Sequence, residues 1–233
     1  MSVRQIVLDT ETTGIGHEFG HRIIEIGCLE LVDRKLTGDS FHVYLNPQRD
    51  VEEGAFKVHG ISTEFLQDKP LFKDILTSFL QFVDGAELII HNAPFDVGFL
   101  NAELHHAHAS SRIEDRCSIL DTLILARDKH PGQRNSLDAL CKRYDVDLSK
   151  RLHHGALLDA ELLAFVYLAM TGGQASLFME DDFSEHTPSK RVHQDKVTLV
   201  SRSPVCLAND EEHRRHEDFV AFLVKKSGRN YWE

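Results

Sequence analysis

The first 170 residues contain two kinds of hydrophobic pattern. Segments of the first kind, which are short apolar runs or alternate between apolar and polar residues, predict β-strands. Residues 6–8 form an apolar, largely β-branched run of the length expected for a buried strand. Residues 22–32 and 37–45 alternate imperfectly between apolar and polar positions on either side of a turn-like segment at 33–35. These segments predict a hairpin beside the first strand, and residues 87–90 predict a further short strand.

The second kind of pattern, which has the longer period, predicts helices that alternate with the later strands. Residues 71–83 carry apolar side chains at helical spacing, whereas residues 46–60 show no period and are predicted to be irregular. Pro94 suits the first turn of a helix, and residues 118–122 lead into another that ends near Lys129. Further helices are predicted after the N-cap candidate Ser62, at 137–144 after Asn135 or Ser136, and at 156–170.

The order of elements predicts an α/β fold, a mixed sheet flanked by helices.

The character of the sequence changes beyond Gly173. Residues 1–173 form the predicted globular domain, and residues 174–204 form a flexible linker that is acidic and then polar. Residues 205–233 are predicted to form a short docking segment with a strand and an amphipathic helix that starts near Asp210. A short amphipathic segment on a linker cannot bury its apolar face alone, so we expect it to dock on another protein.

Composition excludes several classes of protein. The 233 residues are 42% hydrophobic and 27% charged, and no apolar run approaches the ~20 residues of a membrane span. The N-terminus lacks the apolar core of a signal peptide, so a cytoplasmic location is expected. Four scattered cysteines indicate neither a zinc knuckle nor a redox motif. The net charge of −11 argues against a protein that binds long duplex DNA only through the phosphate backbone of the DNA. It does not argue against an enzyme that binds a short nucleic-acid end.

Two carboxylates follow the first predicted strand. Side chains alternate faces along a strand, so Asp9 and Glu11 point the same way, roughly 7 Å apart. Like charges at the end of a buried strand repel each other, and a divalent cation between them removes the repulsion. Thr12, Thr13 and Gly14 then turn the chain and offer hydroxyl and backbone N–H groups beside that cation. The alternative is that both acids simply end a strand at the surface.

A third carboxylate, Asp96, falls in the first turn of a helix that directly follows a strand. Strand ends of open α/β sheets are places where ligands bind. The alternative is an acid that is stabilised only by the helix dipole.

A histidine and a fourth carboxylate lie five residues apart. Were both helical, His154 and Asp159 would point about 140° apart and could not share a site. His154 is therefore predicted on the loop before the helix, where it can turn toward Asp159. An imidazole beside an activated water is a natural general base at neutral pH. The alternative is a surface histidine.

The four carboxylates, with the histidine beside them, form a ligand set of hard oxygen atoms. Such a set suits Mg²⁺ or Mn²⁺ and is poor for zinc. Two such ions about 3.5–4 Å apart can activate water and stabilise the leaving oxygen in an attack on phosphorus.

Three motifs in this sequence resemble those of a known enzyme family. D-T-E-T-T-G, H-N-A-P-F-D-V-G-F and H-H-G-A-L-L-D-A are similar in order and spacing to the motifs of the histidine-type DEDD 3′–5′ exonucleases, whose fold is ribonuclease H-like. The resemblance is strongest to the proofreading exonuclease subunits of bacterial replicative DNA polymerases, and it covers residues from about 4 to 175.

The resemblance implies roles for individual residues. It implies two divalent cations held by Asp9, Glu11, Asp96 and Asp159, with His154 as the catalytic base. It also implies contacts to the terminal nucleotide from Asp9, Glu11, Thr12, Thr13, His59, Phe95 and Asp159. The sequence departs from the family at Gly54, where relatives tend to carry an acid, and this leaves open whether Glu53 replaces it.

The tail also matches the family. Residues 174–178 resemble the Q-x-x-L-F peptide that binds the sliding clamp (beta), with Gln174, Leu177 and Phe178 as its anchors. In the family the distal tail holds the polymerase (alpha) subunit, which matches the docking segment predicted above. A small theta subunit, where one exists, would contact the nuclease domain.

The leading hypothesis is an editing exonuclease that removes mispaired 3′ nucleotides from DNA during replication. A mismatched end frays at lower cost and therefore reaches a single-strand site more often. One alternative is an RNA 3′ trimmer similar to ribonuclease T, although such an enzyme needs no polymerase tether. The other is a non-catalytic scaffold that joins the clamp to the polymerase.

Overall fold

Five strands form one mixed sheet in the part of the chain that the structure describes. This structure, a computed structural model, describes residues 3–149, 153–172, 211, 214–218 and 220–221. The strands are β1 (Arg4–Thr12), β2 (Ile23–Val32), β3 (Lys35–Tyr44), β4 (Glu87–Ile90) and β5 (Ser118–Asp121). Their order is β3-β2-β1-β4-β5, antiparallel across β3, β2 and β1 and parallel across β1, β4 and β5. The predicted mixed sheet and its hairpin are confirmed.

Local backbone geometry accounts for the hairpin and for the end of the first strand. Asp33 and Arg34 have φ angles of 49° and 67°, as expected for the two-residue turn that joins tightly twisted strands. At the other end of β2 the pairing register shifts between Glu11 and Thr12, which is a β-bulge. Bulges bend a strand and redirect its side chains, and this one lies at the residues predicted to bind cations.

Helices cover both faces of the sheet. They are α1 (Glu53–His59), α2 (Thr63–Leu66), α3 (Phe72–Val83), α4 (Ala93–His106), α5 (Thr122–Lys129), α6 (Leu137–Arg143) and α7 (Ala156–Thr171). Ile6 and Leu8 belong to the core formed with α3 and α4, whereas Val7 packs against α7. Alternate residues of β1 therefore face opposite helical layers. None of the described helices has the length and apolar character needed to cross a membrane.

Most helix boundaries match the prediction. Ser62 caps α2 through a hydrogen bond from the Phe65 N–H, and Ser136, rather than Asn135, caps α6. The prediction that residues 46–60 are irregular is wrong, because they contain α1. Only His59 of that helix is buried, so α1 has no apolar stripe that a sequence pattern could reveal.

The chain divides into two compact units, Met1–Met179 and Glu180–Glu233. In the second unit, residues 211, 214–218 and 220–221 are helical. The predicted clamp-binding residues Gln174, Leu177 and Phe178 and the predicted linker lie outside the described residues.

Candidate active site

Three of the predicted site residues meet at the end of β1. Glu11, His154 and Asp159 each offer one ligand atom, and these atoms all lie within 4.8 Å of one another. His154 lies on the loop before α7, and its Nδ1 is 3.0 Å from Oδ2 of Asp159. Asp159 is buried in the first turn of α7, whereas the His154 side chain is 44% exposed. The group is thus open to solvent on the side of the imidazole.

Gly27 allows α7 to approach the sheet this closely. A Cβ at this position would lie 2.3 Å from the backbone N of Leu157 and 2.4 Å from the carbonyl carbon of Ala156. Such separations are far below van der Waals contact, so only glycine fits here. The first turn of α7 therefore packs directly against β2, which brings Asp159 to the end of β1.

Asp9 faces the same helix. It pairs with Gly27 across the β1–β2 ladder, just as Glu11 pairs with Glu25. Residues directly opposite one another in an antiparallel ladder project from the same face of the sheet. Asp9 and Glu11 therefore both face the side of the sheet on which the first turn of α7 lies.

Asp96 reaches β1 from the opposite side of the sheet. Its Oδ1 accepts a hydrogen bond of 2.7 Å from Thr10, the residue between Asp9 and Glu11. Burial raises the pKa of Asp96 to about 7; the hydrogen bond from Thr10 opposes this rise, and the charge of Asp121 adds a smaller increase. A carboxyl group that is costly to ionise in this environment gains its charge most easily when a cation arrives.

Two of the four acids form a group that can hold a divalent cation. Glu11 and Asp159 offer oxygen ligands beside the imidazole of His154, while Asp9 lies on the same face of β1 and Asp96 is hydrogen-bonded to Thr10 on the opposite face. Carboxylate oxygens of this kind are the ligands that Mg²⁺ and Mn²⁺ prefer in proteins.

Thr12, the last residue of β1, and Thr13, in the turn that follows, use their hydroxyl groups in hydrogen bonds inside the protein. Thr12 Oγ1 donates to the Gly14 carbonyl at 2.8 Å. Thr13 is fully buried, and its Oγ1 accepts from the Arg22 N–H and lies 3.0 Å from Nδ1 of His21. The side chain of Thr13 therefore stabilises the turn on which the site is built.

His59 is a buried histidine at the end of α1, and His154 is one of its neighbours. Its Nδ1 accepts from the Ile61 N–H at 3.0 Å, so the neutral ring carries its proton on Nε2. That nitrogen is buried and meets no hydrogen-bond partner among the described residues. Burial lowers the pKa of His59; the backbone of Thr12 opposes this shift and the neighbouring His154 reinforces it. His59 is thus a neutral donor at the end of α1.

The remaining predicted contacts differ in their surroundings. Phe95, in the first turn of α4, packs against Phe99 with ring centroids 4.9 Å apart. A Cβ at Gly54 would meet open space, and Glu53 is bonded to Lys57 on the surface of α1. Gly54 therefore has no side chain to contact a substrate, and the Glu53 carboxylate is paired with Lys57.

Two residues near the site were missed by the sequence analysis. Asp121 accepts hydrogen bonds from the N–H groups of Asn92 and Leu123, and it thereby holds the start of α4. Glu25 is a buried carboxylate in β2. Each interrupts or ends an apolar strand, as Asp9 does, and this was the signal that could have identified them.

Comparison with known proteins gives the family. The model of the family described as Exonuclease matches residues 6–167. DNA polymerase III subunit epsilon of Salmonella typhimurium is 50% identical over 98% of this chain and 97% of its own length. The subunit of the same name from Escherichia coli K12 is 49% identical over 98% of this chain and 97% of its own length.

Solved structures share the fold. Exonuclease X in complex with 5′ overhanging duplex DNA has a TM-score of 0.57 and 25% identity over 71% of this chain and 90% of its own. The nuclease domain of 3′hExo, a DEDDh family member bound to rAMP, has a TM-score of 0.61 and 19% identity over 72% of this chain and 90% of its own. Together with the sequence matches, these findings confirm the predictions of a ribonuclease H-like fold and a 3′–5′ DNA exonuclease of replication. The chain belongs to the exonuclease family and, within it, to the epsilon subunits of DNA polymerase III.

Proposed function

We propose that the protein removes mispaired 3′-terminal nucleotides from DNA as 5′-monophosphates, within a DNA polymerase III core. The observation that carries this proposal is the meeting of Glu11, His154 and Asp159 at the strand end that also bears Asp9. Asp9, Glu11, Asp96 and Asp159 would hold two divalent cations, Mg²⁺ or Mn²⁺. When bound, these ions supply positive charge to the phosphate oxygens and lower the pKa of water.

His154 is the proposed base. Its Nδ1–H donates to the carboxylate of Asp159, which leaves Nε2 with the lone pair that can accept a proton from water. The pairing with Asp159 also orients the ring and stabilises its protonated form after the transfer. Because the ring stands partly in solvent, the proton can then pass to bulk water.

The terminal nucleotide is proposed to lie between the end of α1 and the start of α4. His59 would donate from Nε2 to an oxygen of the nucleotide, and Phe95 would contact its base. Thr12 would contribute from the end of β1, and the fully buried Thr13 would act through the shape of the turn that follows. Such a site does not need to identify bases, because a frayed mismatched end enters it more often than a paired end.

The partners are proposed from the tail. Residues 205–233 would bind the polymerase (alpha) subunit, and Gln174, Leu177 and Phe178 would bind the sliding clamp (beta). A theta subunit, where present, would contact the nuclease unit. The names of the relatives, subunits of DNA polymerase III, support this assembly and a cytoplasmic site of action.

A primer digestion tests the proposal. Wild-type protein is given primers with paired or mismatched 3′ ends, in Mg²⁺ and in EDTA, alongside RNA of the same sequence. We expect faster removal of the mismatched end, only in Mg²⁺ and with preference for DNA. Asp9→Ala and Glu11→Ala should abolish this activity, whereas Asp39→Ala, which removes an exposed acid from β3, should not. Activity retained in Asp9→Ala would refute the assignment, and a preference for RNA would favour the trimming alternative.

A further inference from the structure

Glu25 is a buried carboxylate that the proposed mechanism does not use. It lies in β2, opposite Glu11, and only 2% of it is exposed. Its Oε1 is 2.7 Å from Nε2 of His42, and its Oε2 accepts a hydrogen bond of 3.1 Å from the backbone N–H of Ala156. A carboxylate accepts from both groups, so His42 presents its Nε2–H to it. Glu25 thus connects β2 to the first residue of α7.

The start of α7 needs an acceptor of this kind. Helices begin with N–H groups that have no partner within the helix, and a Ser, Thr, Asp or Asn side chain usually accepts from one of them. The N-cap of α7 is Gly155, which has no side chain. The carboxylate of Glu25 supplies the acceptor from a neighbouring strand, and its negative charge also complements the helix dipole.

The residue that Glu25 binds, Ala156, lies in the sequence between two residues of the candidate site. Ala156 follows His154 by two residues and precedes Asp159 by three. Anchoring the Ala156 N–H to β2 therefore restrains both the loop that carries the imidazole and the turn that carries the carboxylate. His42 and Tyr44, both from β3, contact the Glu25 carboxylate and hold it in the orientation that the bond to Ala156 requires.

We infer that Glu25 is a positioning residue, which holds the start of α7 so that His154 and Asp159 keep their 3.0 Å contact beside Glu11. The inference rests on the proposed function for its effect on catalysis, but not for its effect on the helix. Glu25 faces the same side of the sheet as Glu11, so its charge is the competing explanation for any effect on activity.

Two conservative substitutions separate the position of the acceptor at residue 25 from its negative charge. Glu25→Gln removes the charge but keeps the length of the side chain: its amide oxygen accepts from the Ala156 N–H, and its NH₂ group donates to His42 in the other tautomer. Glu25→Asp keeps the charge but withdraws the carboxylate by about 1.5 Å, the length of one C–C bond. Glu30→Gln and Glu30→Asp are matched controls, because Glu30 lies on the same strand and is bonded to Arg4 far from the site.

The experiment measures kcat and KM on a single-stranded oligonucleotide and amide hydrogen exchange at residues 156–159 without metal. We expect Glu25→Asp to lower kcat by about 10- to 100-fold with KM changed by less than about twofold, as for a displacement of roughly 1 Å in a catalytic group. The same variant should accelerate exchange at the start of α7. Glu25→Gln should stay within about threefold of wild type in both measurements.

The opposite pattern would overturn the inference. If Glu25→Gln lost activity while Glu25→Asp kept it, the charge of residue 25 and not its position would matter. If Glu25→Asp behaved like Glu30→Asp in kcat and in exchange, the bond to Ala156 would have no positioning role. Inactive wild-type protein would instead contradict the proposed function, while the exchange measurement would still decide the role of Glu25.

Discussion

Substitution of Gly27 by alanine tests how closely α7 must approach the sheet. The added Cβ would lie 2.3 Å from the backbone N of Leu157 and 2.4 Å from the carbonyl carbon of Ala156. Ordinary contacts of a methyl group are about 3.5–4.0 Å, so the two backbones must separate by roughly 1 Å or more. Because both neighbours are backbone atoms, no side-chain rotation can make room. The first turn of α7, with Asp159, must move or the strand must bend.

This clash is expected to lower both the free energy of unfolding and the catalytic rate. Overpacking of a core typically lowers the free energy of unfolding by about 1–3 kcal/mol, which a domain of this size can survive. A displacement of about 1 Å in a catalytic group lowers the rate by about 100-fold. We therefore expect Gly27→Ala to be folded but nearly inactive, with the loss in kcat larger than the loss in stability alone explains.

Urea unfolding and digestion of a single-stranded oligonucleotide measure these two effects. Gly54→Ala is the matched control for stability, because a Cβ there meets open space in α1. It should leave the free energy of unfolding unchanged or raise it by up to about 1 kcal/mol. A Gly27→Ala protein with wild-type kcat and wild-type stability would refute the close packing of α7 on β2.

Further predictions concern the protonation of the site, its base and the tail. Because the pKa of Asp96 is about 7 when folded against an ordinary 3.8, the folded protein binds this proton more tightly than the unfolded chain. The free energy of unfolding in EDTA should therefore fall as the pH rises from about 4 to 7, and Asp96→Asn should reduce this slope in urea titrations at several pH values. An unchanged slope in Asp96→Asn would contradict the raised pKa. His154→Gln should lower kcat by about 100-fold or more without unfolding the protein, as circular dichroism can verify; a wild-type kcat would exclude it as the base. Truncation after Gly173 should preserve digestion of short oligonucleotides and abolish binding to the polymerase and the clamp, and retained binding would place the docking residues elsewhere.

Some of the site could be predicted from local geometry. The strand period of two residues puts Asp9 and Glu11 on one face, and the helical period excludes His154 from the helix that carries Asp159. Both conclusions depend on residues that are close in sequence, where backbone geometry leaves few options. The observed loop before α7 agrees with the second of them.

Other parts of the molecule could not be predicted in this way. Helix α1 was missed because its apolar side chains are largely exposed and form no periodic stripe. The role of Glu25 was missed because its partner at Ala156 lies 131 residues away. Nothing in the local sequence around either residue indicates the other.

The sequence by itself determined most strands and helices of the nuclease unit, the acids at their ends and the family to which the chain is similar. These follow from hydrophobic periodicity and short motifs, both of which are local. Only the tertiary structure decided that Asp96 approaches β1 from the face opposite to Asp159, and that a glycine in β2 admits α7. Such relations arise when distant segments pack, because sterics and burial then act between residues that the sequence separates by tens of positions.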